Sequence, residues 1–450
     1  MEASMTIHNN FALFSAAILA STLFFAACSD DSSSAPEEKS SHEEETSHEE
    51  HHGHHMEEPS EGDLTLGDED IQDGFIFLQD TTINGVLTVS TTTPGATVLK
   101  NVKVTGNLLI KRSGRVDFSG SADVVHVGSS NTDVYAFEDE AQVNGHHFMG
   151  KNNTFTTKSF AEYQNVDWTE KSVDLETGIH LAYTVTGDEK GTPVVLIHGL
   201  TDGRVSWSQV APSLAKKGYR VYVPEYRGNG KTDKPIDESS YSVAELASDI
   251  AAFVEKLGLK KVHIVGHSLG AFIAQELSIT NAEIVSSITL IGSGASVDKK
   301  NATLDWLVNG TDDESFDGIY AYDSTQKLPE SFIQAWGYST NPDKDFQAAN
   351  LEHLKQVPYY VWKYLVKNLL KIDNTKRLSS IATDVQIIWG TKDALFDSES
   401  QKTLQKGLSK AKSVVFHEVE GADHNTHWGS AEDVKTVTGY IDEFIKSLKK

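Results

Sequence analysis

Residues 262–270 read VHIVGHSLG, and the fold class is most clearly indicated by this segment. The apolar run Val262–Val265 leads into the pattern Gly-x-Ser-x-Gly, and a helical pattern begins at Leu269. A serine between a strand and a helix is typical of a nucleophile elbow, whose turn is so tight that the flanking residues must lack bulk. We therefore predict that Ser268 is a nucleophile at the C-terminal edge of a sheet. The N-terminus of the following helix would favour a developing oxyanion there.

A serine hydroxyl is a poor nucleophile without a base, and the elbow arrangement requires the chain order Ser, acid, His. Asp393 directly follows the apolar run Val385–Trp389, and His424 follows the run Val414–Glu418. Both residues are therefore expected in loops at the same edge of the sheet as Ser268. We predict a triad in which His424 is the base and Asp393 orients it.

Three other residues fit these roles less well. Asp397 lies further from the strand end, His427 lies beyond the first turn of its loop, and His417 lies within a predicted strand. For these positions, ordinary structural or surface roles are the preferred interpretation.

An oxyanion hole needs two backbone N–H groups. Leu269, the residue after the nucleophile, is expected to supply one of them. The predicted strand Val194–Ile197 is followed by His198 and Gly199, and glycine lets the chain turn close to the site. Leu200 is therefore the second predicted donor, and His198 is expected to support the loop.

Over residues 166–450, apolar runs alternate with helical patterns, which predicts an α/β domain with a parallel sheet. About 90 residues separate the apolar runs Ile288–Ile291 and Val385–Trp389. This is more than a plain connection between two strands needs, so a helical cap is predicted at about 296–380. The predicted strands are Val194–Ile197, Val221–Val223, Val262–Val265, Ile288–Ile291, Val385–Trp389 and Val414–Glu418, and the clearest helices are Val243–Leu257 and Leu269–Ser278.

These motifs, over about residues 170–446, resemble those of the α/β-hydrolase superfamily, in its large group with a helical cap. The matching parts are the His-Gly loop at 198–199, the stretch YRGNGKT at 226–232, the GHSLG elbow and the loops of Asp393 and His424.

The chain departs from the family pattern at two positions. Glu225 stands where the family usually has Asp, although this position is outside the triad. Asp423 replaces the commoner glycine before the base His424, and a nearby anion favours a protonated histidine.

The resemblance implies hydrolysis through an acyl-enzyme, with no metal and no organic cofactor. A serine nucleophile argues against the dehalogenases and epoxide hydrolases of the family, which use aspartate. A small ester-like molecule is the expected substrate, and lactones, thioesters, carbon–carbon bonds and peracid-forming halide oxidation remain alternatives. The predicted cap is rich in aromatic residues, which would either bind an apolar acyl group or form the core of the cap itself. These residues are Trp306, Phe316, Tyr320, Phe332, Trp336, Tyr359, Tyr360, Trp362 and Tyr364.

The apolar run from Phe11 to Ala27 ends in small residues before Cys28, the only cysteine. It resembles a bacterial lipoprotein signal, which predicts a signal peptide at 1–27 and a lipid on Cys28 that anchors the protein to a membrane. The expected location is extracytoplasmic, at the outer membrane or cell surface, and an uncleaved helical anchor is the alternative. A single cysteine excludes an intrachain disulfide.

Residues 28–62 are acidic and rich in serine and histidine, which predicts a disordered tether. They hold much of the formal net charge of −26, and so acidic a chain is not expected to bind nucleic acid. Six histidines in this segment could bind a metal loosely or could simply belong to a solvated spacer. The spacer is favoured, because the segment implies no fixed ligand geometry. The six are His42, His48, His51, His52, His54 and His55.

Residues 63–165 carry short β-branched runs punctuated by Gly and Asn at intervals of about ten residues, which predicts a small all-β module. Weak similarity between TTINGVLTVS and NVKVTGNLLI favours a β-solenoid over a β-sandwich. The adjacent His146 and His147 are interpreted as surface residues of a loop. A spacer, a surface-binding module and a dimerisation element all remain open as roles. An alternative function of another class is therefore a surface-binding protein with an accessory hydrolase domain.

Overall fold

The computed structural model describes residues 54–55, 60, 62–136, 141–156, 169–311, 316–322, 328–339 and 341–449. The predicted signal peptide, Cys28 and nearly all of the predicted tether lie outside the described residues. The described chain after residue 51 forms one compact unit. None of the helices within these ranges has the length and apolar character that a bilayer crossing requires.

The described C-terminal region is built on an eight-stranded sheet. Its strands are β12 (Thr169–Asp174), β13 (His180–Thr186), β14 (Thr192–Ile197), β15 (Tyr219–Pro224), β16 (Val262–His267), β17 (Val285–Ile291), β18 (Asp384–Gly390) and β19 (Ser413–Val419). Their order across the sheet is β12-β13-β15-β14-β16-β17-β18-β19. From β15 to β19 neighbouring strands are parallel, whereas β13 pairs with β12 and β15 in the antiparallel sense. The predicted α/β fold with a parallel sheet is confirmed, and each of the six predicted strands is present.

The central strands are buried on both faces, as a parallel sheet between helices requires. Val195 and Ile197 of β14 contribute to one core, and their neighbours Val194 and Leu196 contribute to the other. The edge strand β12 has the sequence TEKSVD and is largely exposed, so no apolar run signalled it in the sequence.

Helices cover both faces of this sheet. The α-helices of the described residues are α1 (Val210–Ala215), α2 (Val243–Lys256), α3 (Leu269–Thr280), α4 (Ala302–Asn309), α5 (Glu330–Trp336), α6 (Lys344–Gln356), α7 (Tyr359–Leu369), α8 (Ser398–Gly407) and α9 (Ala431–Ser447). On one face α2 and α3 pack together, and on the other α9 packs against α1.

The predicted helical cap is present as α4–α7, between β17 and β18. Several of its aromatic side chains pack on one another. The ring centroids of Phe316 and Phe332 are 4.2 Å apart, and those of Phe332 and Trp362 are 5.3 Å apart. All three side chains are buried, so they form the core of the cap.

The N-terminal region of the described chain contains a second, eleven-stranded sheet in which all pairs are parallel. Two parallel strands cannot be joined by a tight hairpin, because the chain must first travel back to the start of the previous strand. In this module each strand pairs with the equivalent strand of the next turn, as in a β-solenoid. The strands are β1 (His54–His55), β2 (Leu64–Leu66), β3 (Phe75–Gln79), β4 (Thr82–Ile83), β5 (Leu87–Val89), β6 (Ala96–Val104), β7 (Leu108–Ile110), β8 (Gly114–Val127), β9 (Thr132–Tyr135), β10 (Ala141–Phe148) and β11 (Thr154–Thr156).

Polar residues at the turns explain the regular Asn punctuation. Asn101 donates its amide to Asp80 and Asn152 donates to Asn131, each across 21 residues of sequence. All four residues have φ between 49° and 57°, a left-handed conformation that Asn and Asp tolerate better than other non-glycine residues. The side chains therefore stack from one turn of the solenoid to the next.

One detail of the module differs from the sequence interpretation. His146 and His147 lie within β10 rather than in a loop, and the His146 ring stacks on Phe155 with centroids 4.4 Å apart.

The module packs directly on the C-terminal region. Phe75 meets Tyr360 of α7 edge to face at 4.7 Å, and the Tyr135 hydroxyl donates to the carbonyl of Lys355 at 3.2 Å. Lys100 forms an ion pair with Asp233 at 2.5 Å. The module therefore contacts the cap and the loop after β15.

Candidate active site

The turn between β16 and α3 holds Ser268 in a strained conformation. Its φ is 50° and its ψ is −116°, outside the regions that a non-glycine residue normally occupies. A Cβ on Gly266 would lie 2.2 Å from the carbonyl oxygen of Gly270, and a Cβ on Gly270 would lie 2.3 Å from that of Ile197. The two glycines of the motif are therefore required by backbone packing.

Asp393 and His424 are in direct contact. The Nδ1 atom of His424 lies 3.1 and 3.0 Å from the two carboxylate oxygens of Asp393. One of these oxygens also accepts from the N–H groups of Leu395 and Phe396, at 2.8 and 3.1 Å. The carboxylate is thus fixed by its own loop and faces the imidazole.

Close backbone packing brings the two loops together. A Cβ on Gly390, at the end of β18, would lie 2.3 Å from the carbonyl oxygen of Asp423 and 2.5 Å from that of Ala422. Glycine at this position lets the loop that carries His424 approach the end of the strand that precedes Asp393.

Contacts of Ser268 and of the residues next to it place the serine near the Asp393–His424 pair. Its N–H donates to the carbonyl of Ile291 at 2.9 Å, and the next residue, Gly292, lies against the His424 ring. His267 joins the same contact, because its Nε2 lies 3.1 Å from the carbonyl oxygen of His424. The structure therefore brings the three predicted residues close together. Among the described residues, however, no hydrogen bond joins the Ser268 hydroxyl to His424.

The electrostatic surroundings favour the protonated form of His424. Burial alone would lower its pKa, but the neighbouring carboxylates together raise the pKa above the ordinary value. Asp393 makes the largest of these contributions, and Asp423 and Asp202 make smaller ones. Asp423 therefore raises the pKa of His424, as its place next to the histidine in the sequence indicated.

The two predicted oxyanion donors lie on adjoining segments. Leu269 is the first residue of α3, and the close approach of Gly270 to the end of β14 places the loop of Leu200 next to it. Among the hydrogen bonds of the described residues, none uses the backbone N–H of Leu200 or of Leu269.

His198 supports the loop after β14. Its ring stacks on Tyr226 with centroids 4.0 Å apart, and its Nδ1 lies 3.0 Å from the Gly199 carbonyl oxygen. The Tyr226 hydroxyl donates to the same carbonyl at 2.5 Å. Burial lowers the pKa of His198 to about 4, so its imidazole is neutral at pH 7.

A buried ionic network lies below this loop. Arg204 is fully buried and lies 3.0 Å from carboxylate oxygens of both Glu225 and Glu170, and Lys231 lies 2.6 Å from Glu170. Burial opposes ionisation of Glu225, but Arg204 lowers its pKa below the ordinary value. The glutamate that replaces the usual aspartate of the family motif thus anchors Arg204.

The three residues that fitted the triad roles less well in the sequence have structural contacts. Asp397 caps α8 by accepting from the N–H of Ser400, and His417 stacks on Tyr440 with centroids 3.9 Å apart. His427 is fully buried, and its ring lies 4.2 Å from Trp207. Burial lowers the pKa of His427 well below the ordinary value, which leaves its ring neutral.

Sequence reasoning missed two residues near the site. The Asp202 carboxylate lies 3.5 Å from Nδ1 of His267, and His353 of the cap helix α6 lies 3.9 Å from Glu225 and packs against Gly203. Asp202 follows the His-Gly loop closely enough to have been noticed, whereas nothing in the sequence around His353 indicates a contact so distant along the chain. No cluster of three metal-ligating side chains occurs among the described residues.

Comparison with known proteins adds a family match. A family model for the alpha/beta hydrolase fold matches residues 192–431. Epoxide hydrolase 1 of Caenorhabditis elegans is 26% identical over 322 residues, which cover 67% of this chain and 77% of the relative. A 2-hydroxy-6-oxononadienedioate/2-hydroxy-6-oxononatrienedioate hydrolase of Pseudomonas putida is 28% identical over 292 residues, which cover 60% of this chain and 93% of the relative.

Solved structures show the same fold. The esterase EaEST from Exiguobacterium antarcticum has a TM-score of 0.51 at 19% identity, over 62% of this chain and 99% of the esterase. The esterase RhEst1 from Rhodococcus sp. ECU1013 has a TM-score of 0.50 at 22% identity, over 62% of this chain and 99% of that protein. At these identities the likeness concerns the fold alone.

Proposed function

The chain belongs to the α/β-hydrolase family, and from this premise we propose that it is a serine hydrolase that cleaves carboxylic esters through an acyl-enzyme. The observation that carries the proposal is the contact of His424 with Asp393, at 3.0 Å, beside the strained turn that holds Ser268. Both curated relatives described above are hydrolases by name.

The proposed reaction uses the three side chains in fixed roles. His424 takes the proton of the Ser268 hydroxyl as its oxygen attacks the ester carbonyl, and the N–H groups of Leu200 and Leu269 bind the resulting oxyanion. His424 then returns the proton to the leaving alcohol, and water cleaves the acyl-enzyme by the same steps. Asp393 keeps Nδ1 of the imidazole protonated, so that Nε2 is free to accept.

The Asp423→Asn variant is expected to move the acidic limb of the kcat/KM profile to lower pH. His424 must be neutral to act as a base, and removal of a nearby anion lowers its pKa. Asparagine keeps the acceptor for the N–H of Asn425, so the loop should be preserved. The pH–rate profile of ester hydrolysis measures this shift.

Asp188→Asn is the matched control, because this exposed aspartate accepts from Lys190 in the same local pattern. It should leave the profile unchanged. Equal profiles for the wild-type protein and Asp423→Asn would contradict the electrostatic effect of Asp423 on His424.

A panel of p-nitrophenyl esters, from acetate to laurate, tests the substrate class with the full chain. We expect turnover with a preferred acyl length. A protein inert to every ester but active on another class would overturn the ester proposal.

A second candidate is hydrolysis of a 2-hydroxy-6-oxo dienedioate, and the name of the Pseudomonas putida relative favours it. Lactones and peracid formation use the same catalytic groups and belong in the same panel. The epoxide hydrolase relative is a weaker guide to the substrate, because a serine occupies the nucleophile position here.

We also propose that the protein is exported and anchored by a lipid on Cys28. The support is the apolar run that ends in Ala26-Ala27-Cys28, with no other cysteine in the sequence. Membrane fractionation of the wild-type protein and of Cys28→Ser tests this proposal. The wild-type protein should remain with the membrane, and an unchanged distribution of the variant would contradict lipid anchoring.

A further inference from the structure

One edge of the eight-stranded sheet is both unpaired and apolar. Among the described strands, β19 pairs only with β18, so no strand lies beside its outer backbone groups. Val414 and Val415 lie on this strand and are 38% and 36% exposed, two of the four large hydrophobic residues that are exposed in the described chain. An exposed strand edge with apolar side chains is a template for pairing with another strand.

The other edge of the same sheet lacks this exposed apolar surface. Its strand, β12, has the sequence TEKSVD, in which polar and charged residues surround a single valine. Charged side chains on an edge strand discourage pairing with another chain. The apolar edge is therefore a property of β19 and not of the sheet as a whole.

The two ends of β19 carry charges of opposite sign. Two lysines precede its apolar centre and two glutamates follow it, and all four are exposed: Lys410, Lys412, Glu418 and Glu420. Lys412 lies 2.9 Å from a carboxylate oxygen of Asp384, but its side chain is 72% exposed and can also reach a second anion. A strand that is positive at one end and negative at the other is complementary to an antiparallel copy of itself.

An antiparallel pairing about a two-fold axis at Val415 brings the charges and the apolar residues into register together. It sets Lys412 opposite Glu418 of the second copy. Val414 then lies opposite Phe416, and Val415 lies opposite its own copy. Opposite charges and apolar side chains that face each other across antiparallel strands stabilise the pair. An axis at Phe416 would instead set Val414 opposite Glu418.

We propose that β19 is a docking edge for a second copy of this chain, which adds its own β19 in the antiparallel sense. The two eight-stranded sheets then become continuous across the axis. The interface is isologous, because the same residues contribute from both copies, and each Lys412–Glu418 contact therefore occurs twice. The docking edge contains none of the predicted triad or oxyanion residues, and the proposal does not depend on the ester chemistry.

Disulfide cross-linking of the full chain tests the register. Cys28→Ser removes the only cysteine of the sequence, and Val415→Cys in this background places one thiol at the proposed axis. Directly opposite residues of antiparallel strands lie about 4.5–5.5 Å apart, within reach of a disulfide. We expect mild oxidation to give a covalent dimer on a non-reducing gel.

Glu418→Cys in the same background is the matched control for cross-linking. Its side chain is exposed, so chance collisions would oxidise it at least as readily. The proposed pairing separates the two copies of this position by about 20 Å, because six residues of strand lie between each copy and the residue opposite the other. This variant should therefore remain without a cross-link.

Analytical ultracentrifugation of the full chain carrying Cys28→Ser measures the association itself. Glu418→Lys would face Lys412 of the second copy and should raise the dissociation constant of the dimer about tenfold. Adding Lys412→Glu to that variant restores opposite charges and should recover the affinity. Glu255→Lys, at an exposed position of α2, changes the net charge equally and should have no effect.

Four outcomes would overturn the proposal. They are a protein that stays monomeric at every concentration, equal cross-linking of Val415→Cys and Glu418→Cys, a dimer that Glu418→Lys does not weaken, and a double variant that does not recover the affinity.

Discussion

Replacing Ser268 with alanine is expected to lower kcat for p-nitrophenyl ester hydrolysis by about 10⁴- to 10⁶-fold. The variant keeps the oxyanion N–H groups and the Asp393–His424 pair, so binding and a small residual rate should survive. The loss arises because no other hydroxyl occupies the elbow. Steady-state kinetics with an ester that the wild-type protein turns over measures the effect.

Ser278→Ala is the control for this substitution. Ser278 lies further along the same helix, α3, and its buried hydroxyl donates to the carbonyl of Ala274. Removal of that hydroxyl should change kcat less than twofold, apart from a small loss of stability of about 1 kcal/mol. Equal activity of Ser268→Ala and Ser278→Ala would contradict the assignment of the nucleophile.

Gly270→Ala is expected to destabilise the protein by about 3 kcal/mol and to abolish activity. The added Cβ would lie 2.3 Å from the carbonyl oxygen of Ile197 and 2.6 Å from that of His198. Because both atoms belong to the backbone, the conflict can be relieved only by moving α3 away from the end of β14. That movement separates Ser268 from the oxyanion loop.

The matched control is Gly439→Ala, since Gly439 lies within α9 and a Cβ there meets no atom within 4 Å. Alanine should stabilise this helix by about 0.5–1 kcal/mol. Thermal or denaturant unfolding of the two variants should therefore give changes of opposite sign. A Gly270→Ala variant as stable as the wild-type protein would contradict the packing described for the elbow.

The sequence predicted the parts of the fold that local chemistry determines. Continuous apolar runs identified the parallel strands, because strands buried on both faces need no polar alternation. The GHSLG motif placed Ser268 in the turn between β16 and α3, where the structure has it. The exposed edge strand β12 escaped prediction because its polar residues carry no such pattern.

The candidate site was less predictable where it depends on contacts that are distant along the chain. The Asp393–His424 contact followed from chain order and strand ends, since both loops leave the same edge of the sheet. The contact of His353 with the loop of Gly203 did not, because it depends on how the cap helix α6 docks.

Covalent labelling with a fluorophosphonate, followed by mass spectrometry of the digested protein, tests whether Ser268 is the nucleophile. A phosphonate on a serine requires an activated hydroxyl, so the label reports the chemistry without knowledge of the substrate. We expect one adduct, on the peptide that contains Ser268, and its disappearance in Ser268→Ala. An unlabelled wild-type protein, or a label on another residue that persists in Ser268→Ala, would contradict it.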